Sequence, residues 1–431
     1  MKAVNVGLIG FGTIGKGVVK TLLSKKGVLK ERAGVSINLS RIADKDLRPR
    51  RGIRVPKRLL TKKIDSVIKD KNIDIVVELI GGMYPAKEVI LKSLSLGKHV
   101  VTANKALLAE HGEEIFTAAS RFRSFLGFEG SVGGGIPVIN ALRQRFVSNK
   151  IELIYGILNG TSNFILSRMS EHGIDFREAL KDAQKEGIAE RNPRLDISGI
   201  DARHKLAILA LLGFGFSVKP EKIYTEGIEN IDLMDIQYAR QWGYAIKPLA
   251  IARRAKNLLD IRVHPSLVSS KNILASVKDE NNAIYIRGDM VGDSLFYGKG
   301  AGSLPTASSV VSDIIEIAKS LADFKRQRYY LKLKFDSGVK NVRGIGDLFT
   351  RYYLRFSAID RPGVLSGISN VLAQNKISIA TVTQKERKKG QPVPIVMLTH
   401  YSNEGSMNKA LKKIDKLRFI TKKTTRIRIV R

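Results

Sequence analysis

The sequence predicts an α/β protein: an N-terminal doubly wound parallel sheet, an α+β middle domain and a C-terminal βαββαβ unit. Three observations carry this. Apolar strand-like runs alternate with helix-period segments over residues 1 to about 130. A Gly-x-Gly-x-x-Gly motif, Gly10 to Gly15, follows the first run and opens the first helix pattern. The last 80 or so residues repeat the strand–helix–strand–strand–helix–strand order of a ferredoxin-like unit.

In the first domain, Val4–Ile9 reads as a strand and residues 14–23 as a helix. Residues 36–43, 73–79, 99–102 and 123–128 read as further strands, with helix patterns at 85–96 and 107–121 between them. The middle domain opens with a strand at 151–158. Helices follow at 163–171, 176–186 and 201–212, then strands at 249–252, 260–265 and 283–288. A helix at 310–321 returns toward the first domain. The expected boundaries are 1–130 for a dinucleotide-binding domain completed by about 305–322, and 131–322 for a substrate and dimerisation domain. A linker at 323–350 precedes a terminal domain at 351–431. In that domain, 352–358, 377–384, 393–400 and 426–430 read as strands, and 362–375 and 406–415 as helices.

A chain of 431 residues is long enough for two or three domains with their own cores. It has no cysteine, which excludes disulfides, thiol nucleophiles and thiolate metal sites. The N-terminal residues read as a core strand rather than a secretion signal, and no apolar run is long enough to span a bilayer. A cytoplasmic protein without a membrane partner is expected. The net charge of +34 raises nucleic-acid binding as a reading. Yet Lys and Arg are spread along the whole chain, without interleaved aromatics or a reader motif. The excess is steepest from Arg351 onward, where 18 Lys or Arg face 4 Asp or Glu. A generally basic surface with no specific nucleic-acid partner is the expectation.

The glycines have separable tasks. Gly10 permits the tight turn, Gly12 lets the backbone approach a pyrophosphate, and Gly15 lets helix and strand pack closely. Phe11, Thr13 and Ile14 fill the same turn, whose helix start faces phosphates with N–H groups. The second strand ends in Asp44-Lys45-Asp46-Leu47-Arg48. An acid there suits the ribose of NAD, and an arginine such as Arg48 the 2′-phosphate of NADP, so either cofactor stays open with a lean to NADP. Thr102 and Lys105 sit at the tip of the fourth strand, where ligands bind in such sheets. Asp201 and Lys205, four apart at the start of an apolar helix, share one face and follow an acidic loop with Glu190 and Asp196. Carboxylates suit an ammonium, and a lysine can move a proton.

Taken together, the glycine motif, Thr102-Ala103-Asn104-Lys105, the Glu129 to Pro137 segment, Asn159-Gly160-Thr161-Ser162-Asn163, residues 190–205 and Gly300-Ala301-Gly302-Ser303-Leu304-Pro305-Thr306-Ala307 resemble the homoserine dehydrogenase family in order and spacing. Residues 351–431, with Asp360-Arg361-Pro362-Gly363-Val364, resemble an ACT domain. The resemblance implies reversible NAD(P)H-dependent reduction of L-aspartate 4-semialdehyde to L-homoserine. It implies Lys205 as proton donor and Lys105 as second lysine, with Glu190, Asp201, Asp196 and Thr161 around the substrate. Gly187 and Gly302 join the cofactor set. Two lysines at one centre lower each other's pKa. It also implies a sodium ion held chiefly by main-chain carbonyls at Glu129, Val132, Gly134 and Ile136. For the ACT domain it implies an amino-acid effector, threonine, at Asp360, Gly363 and Val364. A dimerisation module without ligand is the alternative. A homodimer or homotetramer is implied as well. Arg191 and Asn192 depart from the acidic and small residues usual after the glutamate.

Overall fold

The structure is a computed structural model and describes residues 3–47, 52–322, 338–384 and 392–430. The first sheet is parallel. Its strands are β1 (Val4–Ile9), β2 (Ile37–Ala43), β3 (Leu60–Thr61), β4 (Ile75–Glu78), β5 (His99–Thr102) and β6 (Leu126–Gly127), in the order β3-β2-β1-β4-β5-β6. That is the doubly wound Rossmann order, with its switch point between β1 and β4. The crossovers are α1 (Thr13–Ser24), α2 (Lys26–Ala33), α3 (Asp65–Ile68), α4 (Ala86–Ser95) and α5 (Lys105–Arg121). Val6, Leu8, Ile75, Val77 and Val101 are fully buried because both sheet faces are covered by helices. The strand expected at 123–128 is only two residues long. Arg123 has φ +51 and the Ser124 N–H returns to the Ala119 carbonyl, so the chain is still closing α5 there.

Further along come α6 (Val138–Asn140), β7 (Ile151–Ile157), α7 (Gly160–His172), α8 (Phe176–Lys185), α9 (Arg194–Ile197) and α10 (Ile200–Phe214). Next are β8 (Tyr224–Thr225), α11 (Leu233–Gln241), β9 (Tyr244–Ala255), β10 (Leu258–Ser269), β11 (Asn281–Gly288), β12 (Gly292–Lys299) and α12 (Ser303–Ala322). The hairpin β9–β10 is antiparallel over all 12 residues of each strand, with Pro265 opposite Pro248. The two missing N–H groups therefore fall at a single rung. Both strands extend well past the short runs legible in the sequence. Helix α11 carries a capping box, Asp232 with Asp235, which the periodicity reading passed over.

The terminal domain holds β13 (Asn341–Val342), β14 (Phe349–Ile359), α13 (Val364–Gln374), β15 (Ile379–Gln384), β16 (Pro392–Thr399), β17 (Ser402–Asn403), α14 (Glu404–Ile414) and β18 (Ile420–Val430). Its sheet runs β18-β14-β16-β15, all antiparallel, as the ferredoxin-like order requires. Helices α13 and α14 cover one face through Ile368, Leu372, Met407 and Ile414. The other face, with Tyr353, Val396, Leu398 and Ile427, packs on Phe164, Ile236 and Ala239 of α7 and α11. Strand β18 also pairs in parallel with β10, Ser266 opposite Arg428.

The chain forms two compact units. One comprises Met1–Leu158, Arg203–Ile223 and Asn282–Val339, the other Asn159–Ala202, Tyr224–Asn281 and Lys340–Arg431. Part of the 323–350 segment lies outside the described residues. Its described end already contains β13, a 3-10 turn at Ile345–Asp347 and the start of β14. Among the described residues no helix is long and apolar enough to cross a membrane.

Candidate active site

In the first unit the glycine turn is built as its spacing requires. Gly10 has φ +102, and a Cβ there would lie 2.4 Å from the Leu79 main chain. A Cβ at Gly15 would lie 2.2 Å from the Gly10 carbonyl oxygen, whereas one at Gly12 would meet nothing within 4 Å. The turn is thus closed beneath and open at Gly12, the shape a pyrophosphate needs. The Phe11 N–H donates to Asp44 Oδ2 at 2.5 Å, and the Asp46 N–H to Asp44 Oδ1 at 2.9 Å. Ser303 Oγ donates to the Thr13 carbonyl at 2.7 Å, which brings Gly302 and the start of α12 beside the turn. Arg48 lies outside the described residues.

At the tips of β4 and β5 a buried carboxylate organises the loops. Glu78 accepts from the Ile80 N–H at 2.7 Å and from the Thr102 hydroxyl at 2.7 Å. Burial pushes its pKa up against these bonds. Asn104 caps α5 by accepting from the Leu107 N–H at 3.2 Å, and its amide donates to the Gly82 carbonyl at 2.7 Å. Lys105 is therefore the first residue of a capped helix, aligned with the Thr102 tip. Glu78 was missed in the sequence, although an acid closing the apolar run Ile75-Val76-Val77 was the available signal.

The Glu129 side chain turns into its own segment. Its two oxygens accept from the Ile139 and Asn140 N–H groups at 2.8 and 2.7 Å, and its main-chain N–H donates to Asp313 Oδ2 at 2.9 Å. Burial raises Glu129 to about 7 despite those bonds, and burial also raises Asp313. The Gly134 carbonyl accepts from Ser309 Oγ at 2.6 Å, and the Ile136 carbonyl from the Val138 N–H at 2.8 Å. Val132 is buried in the same turn.

Lys205 is 5% exposed, and its Nζ donates to the Leu158 carbonyl at 2.6 Å. The carbonyl holds the ammonium at a fixed point at the end of β7. Asp201 lies one turn earlier on the same helix, α10.

In the second unit a single amide joins two of the expected substrate acids. Asn159 Nδ2 donates to Asp196 Oδ1 at 2.7 Å and to Asp201 Oδ2 at 2.9 Å, while its Oδ1 caps α7 through the Ser162 N–H at 2.8 Å. Thr161 Oγ1 donates to the Ile188 carbonyl at 3.0 Å, next to Gly187, which has φ +73 and open space where a Cβ would stand. Glu190 is exposed, and its carbonyl accepts from Gln184 Nε2 at 3.3 Å. Asn159 was not among the expected site residues, although it opens the motif that contains Thr161. In the terminal domain, Gly363 has φ +86 and begins α13 without a side-chain cap, Val364 is buried and Asp360 is exposed.

Three family descriptions match the chain: homoserine dehydrogenase, NAD binding domain, over residues 10–128; homoserine dehydrogenase over 137–315; and ACT domain over 352–419. A homoserine dehydrogenase of Neisseria gonorrhoeae is 42% identical over 431 residues, covering 100% of this chain and 99% of its own. A crystal structure of a homoserine dehydrogenase from Thiobacillus denitrificans superposes with a TM-score of 0.92 at 43% identity, covering 100% and 99% of the two chains. A hyperthermophilic archaeal homoserine dehydrogenase in complex with NADPH superposes with a TM-score of 0.62 at 27% identity, over 75% of this chain and 99% of that one. Matched over its full length, the chain belongs to the homoserine dehydrogenases, NAD(P)-dependent oxidoreductases with, here, a C-terminal ACT domain.

Proposed function

We propose that Lys205 is the proton donor and acceptor for the alcohol oxygen in the reversible conversion of L-aspartate 4-semialdehyde to L-homoserine. The observation that carries this is a nearly buried ammonium held at 2.6 Å by the Leu158 carbonyl. A fixed, desolvated acid can deliver its proton to a developing alkoxide without reorganisation. Lys105 is the second cation at the reacting centre. Glu190 and Asp201 hold the substrate ammonium, with Asp196, which the Asn159 amide joins to Asp201, and Thr161 as further substrate residues. When bound, the nicotinamide supplies or accepts the hydride at the substrate C4.

The cofactor rests on Gly10, Phe11, Gly12, Thr13, Ile14 and Gly15, with Thr102, Gly187 and Gly302 bordering it. NADP is the preferred form, a reading supported by the NADPH complex of the archaeal relative and by the basic run at Arg48. A sodium ion at Glu129, Val132, Gly134 and Ile136 would be held through main-chain carbonyls, since the Glu129 carboxylate is taken up by two N–H groups. The ACT domain binds threonine at the turn of Asp360, Gly363 and Val364. The enzyme works in the cytoplasm as a homodimer or homotetramer.

The test is L-homoserine-dependent reduction of NADP and of NAD at mildly alkaline pH, with and without L-threonine. Turnover with NADP favoured and inhibition by threonine are expected. Folded protein that turns over with neither cofactor refutes the assignment.

A further inference from the structure

Among the described residues of the second unit, a largely buried charge cluster lies between the last ACT strand and the loop that carries the substrate acids. Arg428 on β18 is 1% exposed. Its guanidinium donates to Glu226 Oε2 at 2.6 Å, to Glu404 Oε1 and Oε2 at 2.6 and 3.0 Å, and to the Tyr224 hydroxyl at 3.0 Å. Arg426, two residues earlier, donates to Glu226 Oε1 at 2.8 Å, lies 2.7 Å from Glu404 Oε1, and also reaches Asn408. Two arginines thus face two carboxylates, and the Tyr352 hydroxyl adds a bond to Glu404 at 2.7 Å. Burial alone would raise the Glu226 carboxyl, but Arg428 and Arg426 outweigh it and hold it at about 2.

On its other side Glu226 is continuous with the acidic loop. Its main-chain N–H donates to the Val263 carbonyl of β10 at 2.8 Å. A Cβ on the next residue, Gly227, would stand 2.4 Å from the Ile197 carbonyl oxygen and 2.7 Å from Ser198 Cα. The Ile228 N–H donates to that same Ile197 carbonyl at 2.8 Å. A Cβ on Gly199, which has φ +81, would stand 3.3 Å from the Glu226 carbonyl oxygen. Ile197 follows Asp196, and Gly199 precedes Asp201 by two residues. From β18 to the 196–201 loop the path runs through the Glu226 ion pairs, the Ile228–Ile197 hydrogen bond and the close approach of Gly227 to Ile197 and Ser198.

We propose that Glu226 is a positioning residue for substrate: clasped by Arg426 and Arg428 of the ACT domain, it holds the 196–201 loop so that Asp196 and Asp201 stand at the separation that Asn159 bridges. The ACT domain thereby sets homoserine affinity directly, through its own last strand. This rests on the reading of Asp196 and Asp201 as the substrate acids.

The test is steady-state kinetics of Glu226→Gln, Glu226→Asp and Gly227→Ala in the full-length enzyme. Glu226→Gln is expected to raise the KM for homoserine roughly tenfold, within the usual span of coupling factors. Its kcat and cofactor KM should change by no more than about twofold, an effect on one affinity alone. Glu226→Asp, which keeps the charge, is expected to recover part of the loss. Gly227→Ala leaves all four charges in place; its Cβ displaces the flexible Glu229 carboxylate, 2.0 Å away, and presses on the Ile197 carbonyl and Ser198 main chain, 2.4 and 2.7 Å away, so it carries the test if the Gln variant does not fold; it too should raise only the homoserine KM. A purely structural role lowers the amount of active enzyme and leaves KM unchanged. Unchanged homoserine KM in the folded variants, or parallel rises in both KM values, overturns the proposal. Wild-type protein that does not oxidise homoserine overturns instead the reading on which it rests.

Discussion

Substituting Glu129 by Gln should remove a pH dependence from the stability of the first unit. The carboxylate is 5% exposed and accepts one N–H on each oxygen. Burial outweighs those bonds and the attraction of Arg143, and Glu316 adds repulsion, so the group titrates near 7 rather than 4.5. At ~1.4 kcal/mol per tenfold change in acidity, that difference is about 3 kcal/mol. The folded-state pKa is the raised one. Between pH 4.5 and about 7 the native protein holds a proton that the unfolded chain has lost, so stability falls as pH rises across this window. Asp313, raised by burial and by the Glu129 charge, contributes with the same sign, and removing that charge in the variant lessens its contribution as well. Gln keeps the shape but turns an NH2 toward one of the two N–H groups, which costs roughly 1–3 kcal/mol at any pH. The variant is therefore less stable than the wild type at pH 5, and the gap narrows by roughly 2–3 kcal/mol by pH 8. Urea unfolding followed by far-UV circular dichroism at pH 5, 6, 7 and 8 measures this. The single tryptophan, Trp242, belongs to the other unit and is the wrong probe. An equal gap at every pH refutes the argument.

Replacing Lys205 by Ala is expected to lower kcat by about 10²–10⁴-fold, the usual worth of a positioned acid–base group, with NADPH affinity nearly unchanged by fluorescence titration. Near-normal turnover removes Lys205 from the mechanism. Gly15→Ala should abolish cofactor binding: its Cβ would lie 2.2 Å from the Gly10 carbonyl, so the turn must open by at least 0.8 Å to reach the 3.0 Å limit of real contacts. Retained NADPH affinity would contradict the turn's role. Asn159→Ala removes both the α7 cap and the bridge between Asp196 and Asp201. It should cost about 1 kcal/mol of stability in urea unfolding and raise the homoserine KM, while an unchanged KM would mean the bridge does not shape the substrate site.

The elements whose residues speak locally were legible. Val4–Ile9 and His99–Thr102 stand where the apolar runs put them, because strands buried on both faces need little beyond continuous hydrophobicity. The glycine turn was legible to the level of which glycine lacks room and which faces open space. Long-range structure was not. The full length of β9 and β10 was not legible from the short runs at 249–252 and 260–265, because it is set by cross-strand pairing over 12 residues, with Pro265 opposite Pro248. Helix α11 is short and weakly periodic, and only its Asp232–Asp235 cap announced it. In the site, Asp196, Asp201 and Lys205 were marked by the helix and loop that carry them. The partner of the two acids, Asn159, and that of the Thr102 tip, Glu78, lie 24 to 42 residues away in the chain. Glu226 lies about 200 residues from the arginines that clasp it, beyond any spacing argument.

The most direct measurement is transfer of label from L-homoserine deuterated at C4 to the nicotinamide, followed by mass spectrometry of the reduced cofactor for wild type and Lys205→Ala. Stoichiometric deuterium in the reduced nicotinamide is expected with the wild-type enzyme, and the same label at a rate lower by about two or more orders of magnitude in the variant. Unlabelled reduced nicotinamide, or no reduction of NADP or NAD, by folded wild-type protein refutes it.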